Sequence, residues 1–495
     1  MTSRPPRVVV VGNGMAGFRF VQELLGLGLD FAVTVVGAEP GNAYNRVQLP
    51  NVLAGAARAD SIELAGDDWY ATRGVTLLAG VAAVRIDRAG RLLEMAGGSA
   101  VPYDVLVLAV GSSPVLPPAH GLVRDDGRLL AGAMAFRTAA DCAGIRALAG
   151  SARCAVVLGG GVLGLETARG LAVGGLPVAL VQRGPRLMDR QLDAEASRLL
   201  ARTARTLGVA VRTGASVRGI QGTDRVAGMV LDDGKVLAAD LLVLCCGTRP
   251  RTELARAAGL AVGAGVVVDD QLRSVSDPAI FAVGDCAEHR GQTHGLVAPA
   301  WAQARVAAQT LAGQGTDGPC APDVGGVSYA GSPAVVRLKA AGLELAALGS
   351  VRGGGGAEVI RFTDPARGVY QKLVVRDGRL AGAILLGDTR AAGTITQLFD
   401  RGAQLPADRS SLLVTRRGAA APVADTPVML PGHATICQCN GVTKAAICAA
   451  WQDGARTTGD VAARTRASTG CGTCRDAVAG IVAWLAAAEP GLVPA

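Results

Sequence analysis

Two stretches of this chain repeat one pattern that leaves little choice of fold. RVVVVGNGMAGFRFVQELL begins at Arg7 and CAVVLGGGVLGLETARGLA at Cys154; each is an apolar run, a Gly-x-Gly-x-x-Gly turn and a segment with apolar residues at helical spacing. Such a run reads as a strand buried on both faces, as parallel sheets require. In the first turn Gly12 permits the tight bend, Gly14 lets the backbone approach a pyrophosphate, and Gly17 lets helix and strand pack closely; Gly159, Gly161 and Gly164 repeat those roles. The phosphates then meet the free N–H groups and positive end of the helix. Two such units a domain apart predict an α/β chain with two Rossmann-like dinucleotide-binding domains.

The residues after each unit differ. Glu39 closes the next strand of the first, VTVVGAE, where an acid accepts a hydrogen bond from a ribose hydroxyl. The corresponding strand of the second, PVALVQR, ends in Gln182 and Arg183, with Arg186 beyond. An arginine there pairs with a 2′-phosphate, which favours NADPH over NADH.

The net charge of +8 is small for 495 residues, and the basic residues form no tract. Nucleic acid is therefore not an expected partner. No apolar run reaches the length of a membrane span, and Met1 to Pro6 lead into the first strand without a secretory pattern. Eleven cysteines, an odd number without a regular framework, fit a reducing compartment. A soluble cytoplasmic protein is expected.

Strands at 105–110 and 241–245 end in related turns, AVGSSP and CCGTRP, where the chain is expected to cross between the two halves. The first dinucleotide domain would take residues 1–114 and 246–324, and the second 115–245. A smaller α+β domain, 325–415, is signalled by VYQKLVVRDGRLAGAILLGD, with a hairpin turn at Asp377-Gly378, and by a helical pattern at 392–399. The glycine run 353–356 reads as a loop tip. Residues 416–432, rich in Ala and Pro, read as a linker, and 433–490 as a cysteine-bearing domain. There Cys437, Cys439, Cys471 and Cys474 form a Cys-x-Cys and a Cys-x-x-Cys pair around a helical stretch, 443–465. Four thiolates suit either a structural zinc or an iron–sulfur cluster.

IFAVGDCA presents Asp285 after Gly284, which alone fits a helix cap as well as a ligand. Taken with the two glycine turns and with Gly247 and Pro250, it resembles the two-dinucleotide flavoprotein reductases, in which one site holds FAD and the other NAD(P)H. The resemblance implies that Asp285 and Gly284 bind the flavin's ribityl or phosphate region. It implies flavin contacts from Arg46 and Gly111, and a place for Glu166 near the flavin–nicotinamide contact. Disulfide reductases of this fold carry a cysteine pair after the second strand, whereas residues 41–55 read GNAYNRVQLPNVLAG. Electrons must leave the flavin by another route.

The phrase TGCGTC and the helical stretch before it resemble the [2Fe–2S] domain of the bacterioferritin-associated ferredoxin type, which implies iron at the four cysteines. By AYNRVQLPNVLAG, LMDRQLD, GLVAPAWAQA and the cysteine segment, residues 7–485 resemble the electron-transfer subunits of assimilatory nitrate reductases. They equally resemble the N-terminal half of NAD(P)H nitrite reductase large subunits. The resemblance implies hydride transfer from NAD(P)H to FAD, then single electrons through [2Fe–2S] to a separate catalytic subunit, a molybdenum nitrate reductase. With no sirohaem half after Ala495, the chain is not expected to reduce nitrite alone. The rivals are the flavoprotein subunit of an amino-acid or opine oxidase, which the second glycine turn disfavours, an iron or redox sensor, and a zinc-stabilised docking domain on an ordinary flavin oxidase. Cys245, Cys246 and Cys448 read as small core residues, and Cys286, near the flavin turn, has no evident base beside it. His120, His289, His294 and His433 show no metal spacing.

Overall fold

Val8, Val9, Val10 and Val11 are all at most 4% exposed. The strand that carries them, Arg7–Val11, pairs in parallel with Ala32–Gly37 on one side and Val105–Leu108 on the other. With neighbours on both edges, an unbroken valine run is what such a position selects. The computed structural model describes residues 4–313, 327–332, 335–413, 430–432, 434–437, 440–469 and 474–488. Within them the first sheet has eight strands. From Arg7–Val11 the chain steps outward to Ala32–Gly37 and Thr76–Ala79, then returns on the opposite side with Val105–Leu108 and Asp277–Ala282. A crevice forms beyond the strand ends at such a reversal of order, so the fold itself places a ligand site beside the first glycine turn.

The second unit repeats this scheme. Ala155–Leu158 lies in parallel between Val178–Gln182 and Leu241–Leu244 in a five-stranded sheet. The two crossover turns are joined to each other: Ser112–Pro114 and Thr248–Pro250 form an antiparallel pair.

The third sheet is antiparallel throughout, and its central hairpin turns at Asp377 (φ 48°) and Gly378 (φ 70°). Positive φ at both turn residues matches the right-handed twist of the strands and explains the Asp-Gly pair. Residues 353–356 lie in the loop between Leu343–Gly349 and Glu358–Asp364, and the helix Ala392–Asp400 follows the hairpin. One face of this sheet shares a core with the second unit, where Leu338, Leu345 and Ile384 join Leu180 and Leu200. Asp193 fastens the joint: it caps the helix Ala194–Thr206 and accepts from Tyr370 Oη at 2.7 Å and Lys372 Nζ at 2.9 Å. Burial alone would raise the Asp193 pKa, but bonds from the Ala196 N–H, Tyr370 and Lys372 hold it below the usual carboxylate range.

The terminal module has its own small core of Ile447, Trp451, Val461, Val478 and Ile481, together with Cys437 and Cys474. The helical stretch expected over 443–465 is two helices, Lys444–Gln452 and Thr458–Thr465. Gly454, at φ 95°, breaks it, and a Thr457/Asp460 capping box starts the second helix. Of the sequence linker only 430–432 lie within the described residues; 416–429 lie outside them, as does His433. Among the described residues no helix is long and apolar enough to cross a membrane.

Candidate functional site

The two glycine turns are built alike. Gly12 sits at φ 117° and Gly159 at φ 118°, and a Cβ on either would lie 2.2 Å from a backbone oxygen, of Ala109 or Cys245. A Cβ on Gly17 would come within 2.0 Å of the Gly12 oxygen, and one on Gly164 within 1.8 Å of the Gly159 oxygen. Only glycine admits that closeness of strand, turn and helix. Gly14 and Gly161 differ: a Cβ on either would meet nothing within 4 Å. Each caps a helix, Met15–Gly26 or Val162–Val173, with no side-chain cap and no acidic residue in the first turn. Open space before an uncapped helix N-terminus is an anion site by geometry and by charge.

A cleft of about 910 Å³ gathers much of the sequence-predicted site. Gly12, Gly14, Glu39, Arg46, Gly111, Gly284 and Asp285 line it, and so does Glu166 from the second unit. Gly17 packs beneath the first turn, while Gly159, Gly161, Gly164 and Arg183 stand outside the cleft lining. Val162 and Leu163, in the first turn of the second helix, also line the cleft, so both units contribute to one space.

Glu39 is held from two sides: Tyr44 Oη donates to Oε2 and Arg46 Nη2 to Oε1, each at 2.6 Å. Burial pushes the Tyr44 hydroxyl up to about 12, so it stays a proton donor. Asp285 caps no helix. Its Oδ2 accepts from Ser112 Oγ and from Arg137 Nη2, both at 2.7 Å, and Arg137 also reaches Ser112 Oγ at 2.7 Å. Burial lowers the Arg137 pKa and Asp285 opposes that shift. Arg137 Nε is buried with no hydrogen-bond partner among the described residues, an unmet donor in the wall of this cleft. An anionic dinucleotide fits that donor and the open helix end together.

Tyr44, Ser112 and Arg137 are the functional residues that sequence reasoning missed. Tyr44 and Ser112 stand inside the quoted phrases AYNRVQ and AVGSSP, but Arg137 lies in no motif and only the fold brings it to Asp285.

At the second turn Gln182 takes the place of the usual acid, and its Oε1 accepts from the Gly160 N–H at 2.8 Å. Arg183 follows it, exposed, and Arg186 Nε is buried without a partner among the described residues. Cys245 is pushed up to about 12 and Cys142, Cys246 and Cys286 to about 11, in each case chiefly by burial. Such thiols are inert at neutral pH. His289 is bonded to Asp270 at 2.8 Å.

In the terminal module Cys437 is fully buried and Cys474 is 5% exposed. Two soft donors in an apolar pocket fit a thiolate-held cluster. Cys439 and Cys471 lie outside the described residues.

Residues 6–310 match the pyridine nucleotide-disulphide oxidoreductase family. The chain belongs to that family. Its members take FAD and NAD(P)H, and residues 41–55 of this chain hold no cysteine. Residues 335–403 match the rubredoxin NAD+ reductase C-terminal domain, and 435–484 the BFD-like [2Fe-2S] binding domain. The chain is 35% identical over 474 residues to the nitrite reductase [NAD(P)H] of Bacillus subtilis (strain 168), covering 95% of itself and 57% of that relative. It is 34% identical over 487 residues to the assimilatory nitrate reductase electron transfer subunit of the same organism, covering 98% of itself and 60% of that protein. It therefore spans less than two thirds of the length of these relatives. Among solved structures, the covalent putidaredoxin reductase–putidaredoxin complex superposes with a TM-score of 0.73 at 26% identity, over 84% of this chain and 100% of that one.

Proposed function

We propose that this chain is an NAD(P)H-dependent electron-transfer component of nitrate or nitrite assimilation, delivering electrons through its terminal module to a separate catalytic subunit. A reductase of the molybdenum type, in the cytoplasm, is the acceptor proposed. The reading is carried by one observation: the helix behind the second glycine turn and the residues around the first face a single cleft, in a chain that also holds a terminal cysteine module. FAD bound there would accept a hydride from the nicotinamide and release electrons one at a time, which a [2Fe–2S] centre requires.

The chain's own part is positional. Gly14 and Gly161 leave room for the two pyrophosphates and the helix ends receive their charge. Glu39, aligned by Tyr44 and Arg46, accepts the ribose hydroxyls. Asp285 is paired with Arg137, with Ser112 fixing its orientation, and Gly111 and Gly284 let the backbone approach. Glu166 stands where the two units meet, as the residue proposed to orient the nicotinamide end. Cys437, Cys439, Cys471 and Cys474 are proposed as the cluster ligands.

Anaerobic addition of NADPH or NADH to the purified protein is expected to bleach the flavin absorbance. It should also raise the electron paramagnetic resonance signal of a reduced [2Fe–2S] centre. Native zinc at the cysteines, or flavin unreduced by either coenzyme, would overturn the proposal. Arg183 and Arg186 favour NADPH. Replacing Arg183 with Ala should lower kcat/KM for NADPH by about tenfold, the loss of one charge-assisted phosphate contact, and leave NADH turnover unchanged; equal loss with both coenzymes would remove Arg183 from coenzyme selection.

A further inference from the structure

Among the described residues the terminal module shares no core with the first unit, and a cleft of about 680 Å³ separates part of it from the helix Met15–Gly26. Polar contacts join the two. Asn45 Nδ2 donates to Asn440 Oδ1 at 3.0 Å, across 395 positions of sequence. Asn45 is only 4% exposed and Asn440 half-buried, so that bond is partly shielded from water and its loss leaves the Asn45 amide without that partner. On the module side Asn440 Nδ2 donates in turn to the Arg466 carbonyl and, at 3.0 Å, to Thr469 Oγ1. The amide is thereby fixed from behind.

Gly441 makes the second contact. It sits at φ 63°, and a Cβ there would lie 2.2 Å from Arg19 Nη1 and 3.0 Å from the Trp301 ring. Arg19 is braced by Glu23 at 2.8 Å and lies over Trp301, 5.2 Å from the ring centroid, so the surface under Gly441 is a fixed one. Besides Arg466, which feels the Glu63 carboxylate, the described residues of the module thus rest on the first unit in these two places. One is the turn after the second strand, in the cysteine-free segment 41–55. Asn45 stands between Tyr44 and Arg46, and both of these line the dinucleotide cleft and hold Glu39. The contact residue is the immediate chain neighbour of two residues of the cleft wall.

We propose that the Asn45–Asn440 bond, with Gly441 seated against Arg19 and Trp301, is a separable latch that docks the terminal module on the outer wall of the dinucleotide cleft. Its meaning for electron transfer rests on the function proposed above; the docking itself does not. Polar contacts without a shared core suit release, whereas an apolar interface of the same extent would hold the module permanently.

The test uses the full-length holoprotein and two variants. Asn45→Ser keeps an oxygen to cap the Val47 N–H but is too short to reach Asn440. Gly441→Gln puts a side chain against Arg19 and Trp301. Hydrogen exchange should quicken roughly fivefold in residues 44–48 and 15–26 of Asn45→Ser, and more in Gly441→Gln. The helix Arg475–Ala488 should stay protected. Reduction of the cluster by NADPH should slow by the same factor relative to flavin bleaching. Should Gly441→Gln lose protection in the terminal helices as well, Asn45→Ser decides, because its change lies outside the module. Unchanged exchange and unchanged relative rate in Asn45→Ser overturn the latch. A wild-type protein whose cluster NADPH never reduces, yet whose residues 44–48 are deprotected by both variants, overturns the functional reading and leaves the latch standing.

Discussion

Replacing Cys474 with Ser should abolish the cluster's absorbance and paramagnetic signal and cut cluster-dependent reduction of a one-electron acceptor by more than about 100-fold, while NADPH still bleaches the flavin at the wild-type rate. The asymmetry follows from where the residue lies. Cys474 and Cys437 belong to the small core around Trp451 and Ile447, and among the described residues none that lines the cleft comes from the terminal module. A unit of about fifty residues buries too little apolar surface to be stable on that account alone. Cluster binding therefore contributes folding free energy, and the variant should lose hydrogen-exchange protection over Lys444–Gln452, Thr458–Thr465 and Arg475–Ala488 together. Cys448→Ser is the control: Cys448 is half-buried on the helix Lys444–Gln452 and should leave the cluster spectrum intact. Retention of the spectrum in Cys474→Ser, or its loss in Cys448→Ser, would reassign the ligands.

How much of this was legible in the sequence depended on how local the physics is. Glycine turns between strand and helix announce themselves because the constraint lies within six residues: Gly17 is excluded from bearing a Cβ by the oxygen of Gly12. The Asp-Gly hairpin is equally local, since both residues need positive φ. Arg137 was illegible for the opposite reason. It meets Asp285 across 148 positions, and an arginine before the capping Thr138 of a helix carries no mark of that meeting. Asn45 and Asn440, 395 positions apart, are the extreme case. The break at Gly454 within the stretch 443–465 was local and readable, because glycine followed by Thr457 and Asp460 spells a stop and a new cap. Glu166 was placed by resemblance alone, and it lines the cleft together with Val162 and Leu163 of the same helix.

The paired glycines divide into two kinds, and substitution should separate them. Gly164→Ala sets a methyl 1.8 Å from the Gly159 oxygen, a backbone atom held by the strand before it. The clash is relieved only by moving the helix Val162–Val173 off its sheet, at a cost of about 3 kcal/mol or more. The helix packs Leu165, Ala168 and Leu171 into the core of the second unit, so the variant should unfold that unit in thermal and hydrogen-exchange measurements. Gly161→Ala adds the same methyl where nothing lies within 4 Å and φ is negative, at −83°. Loss of a glycine cap and gain of chain stiffness nearly offset each other, leaving stability within about 1 kcal/mol. The methyl then occupies the space that a pyrophosphate needs, so KM for the nicotinamide coenzyme should rise about tenfold or more with flavin content unchanged. Gly14→Ala should do the reverse, lowering flavin content in a protein that still folds. If Gly161→Ala and Gly164→Ala lost stability equally, open space beside Gly161 would have to be packing, and the helix end would not be an anion site.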